Sequence, residues 1–336
     1  MKKNVTMKDI ADRIGVSSVT VSKALNDKDG VSDKLKDKIK RLADEMGYRY
    51  NTMAKSMKNG MSYNVGIIIP ERFSGGISQS FYFRAYQKIT TVLERYGYYG
   101  IMNILSNKDE EALTLPKIYQ EKKVDGFIFL GQLTSDYINV VKGIDIPIVF
   151  LDFYDEDDEV DSVITDNFSG AYDITNYLLS KGHREIGYIG NLHSTSSIQD
   201  RFLGYYKSLL KHHIDVRPEF IIKDRDEKGK FIDFNLPEEL PTAFVCNCDQ
   251  VAHELVLRLN DLGYHVPDDF SVVGFDDDIY ATITNPQLTT VGVNIDEMVK
   301  RAVRLIVRKL QGKNKPYGRL SVKGNIVKRN SVKELG

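Results

Sequence analysis

From Val65 onward the chain repeats one pattern, a short apolar run followed by a longer stretch of helical periodicity. The runs are VGIIIP, YYGIMNIL, VDGFIFLG, IPIVFLD, SVITD, EIGYIG, TAFVCNCD, FSVVGFDDD and TTVGVN. Most are apolar at every position rather than at alternate ones. Such a strand has both faces covered, as a parallel strand does between two layers of helices. Amphipathic stretches over 80–97, 167–181, 249–262 and 295–311 supply those layers. The alternation predicts a doubly wound α/β architecture. About 270 residues are more than one such sheet needs, so two subdomains are expected.

The first sixty residues follow a different pattern. Thr6 is a good N-cap, and Asp9 three residues on makes a near capping box. Ile10, Ala11 and Ile14 form an apolar stripe, and Gly15 supplies a turn. Ser17 caps a second helix with Val21, Ala24 and Leu25 facing inward. A third helix predicted over 33–46 buries Leu35, Ile39, Leu42, Ala43 and Met46 before Gly47. Three short helices on one small core make a helix-turn-helix unit. The second helix leads with Ser-Ser-Val-Thr, small and polar, as an element to be inserted would. Residues 49–64 then carry Arg49, Lys55 and Lys58 and no acid. Asn51 can cap a helix over 52–58, too short to persist alone in water.

Charge separates the two parts. Residues 1–60 hold 14 Lys and Arg against 8 Asp and Glu, and the remainder 32 against 39. A basic head on an acidic body points to a polyanion as the head's partner. Cys246 and Cys248 cannot build a disulfide framework and are read as structural thiols of a reducing compartment. The N-terminus has no apolar signal core, and no run approaches ~18 apolar residues, so a cytoplasmic location and no membrane partner are expected. There is no G-x-G-x-x-G after the first strand, no P-loop, no G-x-S-x-G and no H-E-x-x-H, and the six His are scattered. Neither catalysis nor a cofactor or metal is expected. An enzyme or a solute receptor on the same fold remains the distant alternative. The acidic run DFYDEDDEVD reads as a solvated loop rather than a calcium site.

With these residues in view, the chain resembles the LacI/GalR family of bacterial transcription repressors nearly end to end. MKDIADRIGVSSVTVSKALN is the most specific segment, extended by NTMAKSMKNG, DNFSGAYDITNYLLSKGHREIGYIG and VPDDFSVVGFDDD with PQLTTV. The resemblance implies a DNA-binding headpiece (1–48), a hinge helix (49–61) and a core like periplasmic sugar-binding proteins (62–336). It places crossovers near 162, 291 and 321, giving subdomains of about 62–162 with 291–321, and 163–290 with 322–336. It further implies a homodimer on a pseudo-palindromic double-stranded DNA operator, released by a small-molecule effector. A sugar or oligosaccharide inducer is the first reading, and a purine or other corepressor the alternative.

The family pattern assigns roles to particular residues. Ser18, Val19 and Lys23 would face base edges in the major groove, where Lys23 can donate to guanine and the Val19 methyls suit thymine. Thr6, Ser17, Thr20, Ser22 and Asn26 would touch phosphates. Asn51, Ala54, Lys55 and Met57 would enter the minor groove, with Met57 in the wedge position where the family has Leu. Tyr50 stands where the family has Pro. In the core, Tyr82, Phe83, Gln132, Asp152, Arg201, Phe275 and Asp276 would bind the effector at the carboxyl ends of strands, with Asp249 at the rim. Cys248 and Glu254 replace an Asn and a Gly of the family pattern. The segment 223–241 is too short for the helix expected there, so an edge of the second subdomain is expected to be rebuilt.

Overall fold

The computed structural model describes residues 5–49, 60–74, 79–226, 229–313 and 315–335. The chain divides into two compact units, Met1–Met61 and Ser62–Gly336.

The first unit holds helices α1 (Met7–Ile14), α2 (Ser18–Leu25) and α3 (Asp33–Glu45). The capping box at Thr6 forms: Asp9 N–H donates to the Thr6 hydroxyl, and Thr6 N–H donates back to the Asp9 carboxylate. Gly15 ends α1 in the left-handed region at φ 75°, where a β-carbon would be strained. Ser17 accepts from Thr20 N–H and opens α2. The core is Ile10, Ala11, Val21, Ala24, Leu25, Ile39 and Ala43, with Leu35, Leu42 and Met46 packed at its edge. Met46 is the cap of α3 rather than part of it.

The second unit contains two sheets. Among the described residues the first runs β1 (Asn64–Pro70), β2 (Tyr99–Leu105), β3 (Gly126–Leu130), β4 (Ile148–Leu151) and β5 (Ser162–Thr165), then takes β11 (Arg319–Val322) from far along the chain. Its order is β11-β5-β4-β3-β1-β2 and every pairing is parallel. The second contains β6 (Ile186–Ile189), β7 (Ile221–Ile222), β8 (Ala243–Cys246), β9 (Ser271–Asp276), β10 (Thr289–Gly292) and β12 (Asn325–Val327). Its order is β12-β10-β9-β8-β6-β7, with β12 alone antiparallel. The helices are α4 (Gln79–Glu94), the short α5 (Asn107–Glu111) and α6 (Lys117–Gln120), α7 (Ser135–Lys142), α8 (Asn167–Ser180), α9 (Ser196–Lys211), α10 (Asp249–Asp261), α11 (Ile279–Ile283) and α12 (Ile295–Leu310). The central strands are buried at every position, which is why they read as continuous apolar runs. α12 shows the complementary pattern, burying Ile295, Met298, Val299, Ala302, Val303 and Ile306 along one stripe.

The chain passes between the sheets three times: after β5 at Asp166, after β10 at Val293–Asn294, and between β11 and β12 at Lys323–Gly324. Each crossing lies a few residues beyond the boundary expected from the family pattern. The β5, β10 and β11 pairings continue past those points before the chain leaves its sheet. Two crossings touch. A β-carbon at Gly324 would sit 2.6 Å from the Gly292 carbonyl oxygen, so only glycine lets these strands pass.

The acidic loop after β4 is not simply solvated. Lys142 bonds Asp155 at 2.8 Å and Asp157, and reaches Glu159 at 3.1 Å. Asp161 is buried, accepting from Tyr317 N–H and Gly318 N–H and facing Lys309 at 2.9 Å. Asp158 faces Arg319 at 3.1 Å, so Asp155, Asp157, Asp158, Glu159 and Asp161 pair with the protein's own cations, and among the described residues no group of three metal-ligating side chains exists. No helix of the described residues is long and apolar enough to cross a membrane.

Candidate functional site

In the first unit the leading edge of α2 is held out. Val19 is 65% exposed although its neighbours Val21, Ala24 and Leu25 are buried, so the core makes no use of it. Ser18 and Lys23 are exposed on the same element. The residues expected at phosphates are tied into local bonds. The Thr6 hydroxyl gives its proton to Asp9 (2.7 Å), Ser17 and Thr20 share a hydroxyl bond (2.9 Å), and the Asn26 amide donates to the Ser22 carbonyl (2.7 Å). With its proton spent, Thr6 offers an anion only its helix's backbone N–H groups. Asn51, Ala54, Lys55 and Met57, the expected hinge contacts, lie outside the described residues.

In the second unit an open cavity with about 840 Å³ of empty space, solvent included, lies between the carboxyl ends of the two sheets. Arg201, in the second turn of α9, organises one wall. Its guanidinium lies flat on the Phe275 ring, 3.8 Å from the centroid. It donates to Asn167 Oδ1 (2.8 Å), to the Asn247 carbonyl and to Asp276 Oδ1 (3.1 Å). The opposite wall carries Asp152 at the end of β4, which accepts from the Tyr82 hydroxyl at 3.2 Å. Both aspartates have left-handed backbones, φ 70° at Asp152 and φ 109° at Asp276, a strain retained where the surroundings over-determine it. Burial pushes Asp152 up to about 6, with Arg201 and Tyr82 pulling back. Burial pushes Asp276 up to about 7 against the pull of Arg201. The Tyr82 hydroxyl is raised well above its ordinary value by burial and by Asp152. Hydrogen bonds join the walls: Ser196 donates to Gln132 Oε1 through Oγ (2.9 Å) and through its N–H (3.3 Å), and Tyr154 donates to Asp200 at 3.1 Å.

Five of the eight expected core residues therefore line this cavity: Tyr82, Gln132, Asp152, Arg201 and Asp276. Three do not. Phe83 is 50% exposed on the outer side of α4, one residue and about 100° from Tyr82. Phe275 is core, serving as the platform beneath Arg201. Asp249 is fully buried behind the wall, where it accepts from Asp278 N–H (3.0 Å) and Thr290 Oγ1 (2.6 Å). A β-carbon at Gly274 would fall 2.0 Å from its carboxylate, so that strand position is built around it.

Other lining residues escaped the sequence reading. Among the described residues no helix replaces the short segment after β7. Arg225 and Phe231 form an isolated antiparallel bridge, and Phe231, Phe234, Leu236 and Leu240 pack on the core beside α10. This rebuilt edge delivers Arg225, Gly229 and Phe231 to the cavity. Arg225 is buried, paired with Asp224 (2.8 Å), bonded to Asn247 Oδ1 (3.0 Å) and stacked on Phe231. Cys248, read as structural, lines the cavity near Arg225 (3.8 Å), with burial pushing its thiol up to about 12, while Cys246 is core. Arg72, just after β1, also enters. The PER tripeptide following an apolar strand was the available signal.

A three-helix unit with an exposed, polar-edged second helix, followed by a two-sheet body with a ligand-sized cleft, defines a DNA-binding regulator of the binding-protein-like type. Residues 6–51 match the family model for bacterial regulatory proteins of the lacI family, and residues 175–332 match that for a periplasmic binding protein-like domain. The HTH-type transcriptional regulator RegA of Clostridium saccharobutylicum is 31% identical over 97% of this chain and 99% of its own. The solved lac repressor dimer bound to operator and the anti-inducer ONPF aligns with a TM-score of 0.77 at 24% identity, covering 98% of this chain and all of that one. The CelR–cellobiose complex aligns with a TM-score of 0.69 at 22% identity over 98% of this chain and all of its own. The chain belongs to the lacI family of bacterial regulatory proteins: it is a DNA-binding transcriptional regulator, and its relatives are regulators rather than enzymes.

Proposed function

We propose that this regulator is a cytoplasmic repressor that grips a pseudo-palindromic operator as a homodimer and releases it when a small carbohydrate enters the cleft of its body. The observation that carries the ligand reading is the composition of the cavity. Carboxylates at Asp152 and Asp276 accept from hydroxyls, while Phe73, Phe81 and Tyr82 offer apolar surface to a ring. The two solved relatives, one on operator DNA and one with cellobiose, accord with both halves. On the DNA side, Ser18, Val19 and Lys23 read base edges, and backbone N–H groups and hydroxyls around Thr6, Ser17, Thr20, Ser22 and Asn26 hold phosphates. Asn51, Ala54, Lys55 and Met57 act in the minor groove. Tyr82, Gln132, Asp152, Arg201 and Asp276 bind the effector, and Arg201 holds Asp276 in place.

The effector acts only through its different affinity for the DNA-competent and released arrangements, typically about 1–3 kcal/mol of coupling. Titration of promoter DNA with the full chain, with and without a carbohydrate panel, tests this. A sugar that weakens DNA binding about 5–150-fold is the expected outcome. A nucleobase that strengthens DNA binding while every sugar is inert replaces the inducer reading with the corepressor one.

A further inference from the structure

We infer that the effector carries a protonated amine, an amino sugar rather than its neutral counterpart. The inference rests on the carbohydrate reading above and narrows it. Among the described residues six charged side chains line the cavity: Arg72, Arg201, Arg225, Asp152, Asp276 and Asp278. The arginines are satisfied from behind. Arg72 is held by Glu110 (2.5 Å) and the Gln132 carbonyl, and Arg225 by Asp224 and Asn247. Glu110 and Asp224 are both buried and lie outside the lining, so the charge of these two guanidiniums is neutralised away from the cavity. Arg201 spends its donors on Asn167, Asn247 and Asp276.

The acids differ. Asp278 caps α11 through Tyr280 N–H (2.8 Å) and feels Arg84. Asp276 shares Arg201. Asp152 accepts the Tyr82 hydroxyl, and among the described residues no cation stands within ion-pair distance of it. Asp152 is half-buried and feels Arg201 only from beyond ion-pair distance, so its charge is only partly offset, and a bound ammonium offsets it where a neutral hydroxyl does not. The aromatic surroundings favour the same charge. Tyr82 packs against Phe73 (5.1 Å between centroids) and edge-on against Phe81 (5.2 Å), so the group bonded to Asp152 belongs to an aromatic cluster, a setting that attracts a cation. An N-acetyl group would take away the charge.

The groups facing the two aspartates set the pH response. Tyr82, Arg201 and Asp276 face Asp152, and Arg201, Asp278, Asp152, Tyr82, Cys248 and Asp249 face Asp276. With Asp152 raised to about 6 and Asp276 to about 7, an arriving cation pulls both down and expels protons.

Calorimetry of the full chain with matched series tests the inference: glucose, glucosamine and N-acetylglucosamine, with the galactose and mannose equivalents. Titrations at pH 6.5 in two buffers of different ionisation enthalpy count the protons. In one series the amine should bind at least about tenfold tighter than its neutral and acetylated partners, with net proton release and a weakening from pH 7 to pH 5 of about tenfold from Asp152 alone and more where Asp276 also loses its proton. Asp152→Asn should abolish the preference for the amine, and Tyr82→Phe, which keeps the carboxylate, should retain it. A neutral sugar that binds as tightly as its amine overturns the inference and leaves carbohydrate sensing standing. If no member of any series binds, both fall.

Discussion

The two units of this chain use charge in opposite ways. In the headpiece, charged side chains stay on the surface, and the described residues proposed to meet DNA fall within one short stretch of two helices and a turn, from Thr6 to Asn26. In the body, Arg201, Arg225, Asp224 and Glu110 are buried, and the cavity draws on segments from Arg72 to Asp278. The difference follows from what each unit meets. A polyanion is held by exposed donors that give up their counterions. A small ligand is held by groups taken out of water in advance, whose orientation is fixed by bonds from behind.

The comparison can be broken at several points, the largest first. Ile39 is fully buried in a headpiece core of only seven buried residues. Ile39→Ala should cost about 2–5 kcal/mol, comparable with the whole stability of so small a unit. DNA binding should fall more than about a hundredfold while the body melts as before. The same truncation at Ile174, inside the larger body, should leave DNA binding measurable. Equal loss in both would end the claim that the units depend on cores of different capacity.

Gly204 probes the body's packing. A β-carbon there would meet the Phe168 carbonyl oxygen at 2.2 Å and Tyr172 N at 2.9 Å, backbone atoms of α8 that cannot yield separately. Gly204→Ala should destabilise the body by about 3 kcal/mol, read by denaturant titration. An unchanged midpoint would mean that α8 and α9 are free to part.

Lys23→Ala should weaken promoter binding by about 1–3 kcal/mol and relax base preference at one position per half-site. Uniform weakening across all sequences would reassign Lys23 to the phosphates.

The smallest effect is the pH dependence of the body's stability. Asp276, at about 7 when folded, lies above its unfolded value, so the folded state holds more protons between about pH 4 and pH 7. The cost of its ionisation is complete above pH 7 and is relieved as pH falls through that value. Asp152, at about 6, acts in the same sense. Burial lowers His183 and His253, which pull the other way as pH falls, so Asp276→Asn is the proper reference. Relative to that variant, the unliganded protein should gain on the order of 1 kcal/mol between pH 7.5 and pH 5.5. No difference between the two would remove Asp276 from the buried, partly protonated set.

The same contrast explains what could be read from residues alone. The headpiece was legible because caps, stripe and turn lie within a few residues of one another: Thr6 with Asp9, Gly15, then Ser17 with Thr20. The nine apolar runs became strands for a similarly local reason. β7 and β12 escaped because they are two and three residues long, and β11, like β12, because it is partly exposed within polar sequence. In the cleft, Asp152 and Asp276 were found because strand ends are visible in the pattern. Phe83 and Phe275 were misplaced because one residue along a helix or strand turns a side chain out of the site. Arg225 and Phe231 depend on how a segment without regular structure closes on the core, which no period in the sequence reports.

The central claim is that the basic headpiece grips DNA and the body governs that grip through a ligand. The most direct measurement is the affinity of the full chain and of residues 62–336 for its own promoter DNA, across salt and with the effector sugar added. The full chain should bind with an affinity that falls about 10³-fold or more from 50 to 200 mM salt, and should weaken further with the sugar. The shortened chain should not bind. Binding by residues 62–336 alone, or an affinity indifferent to salt and sugar, would contradict the account.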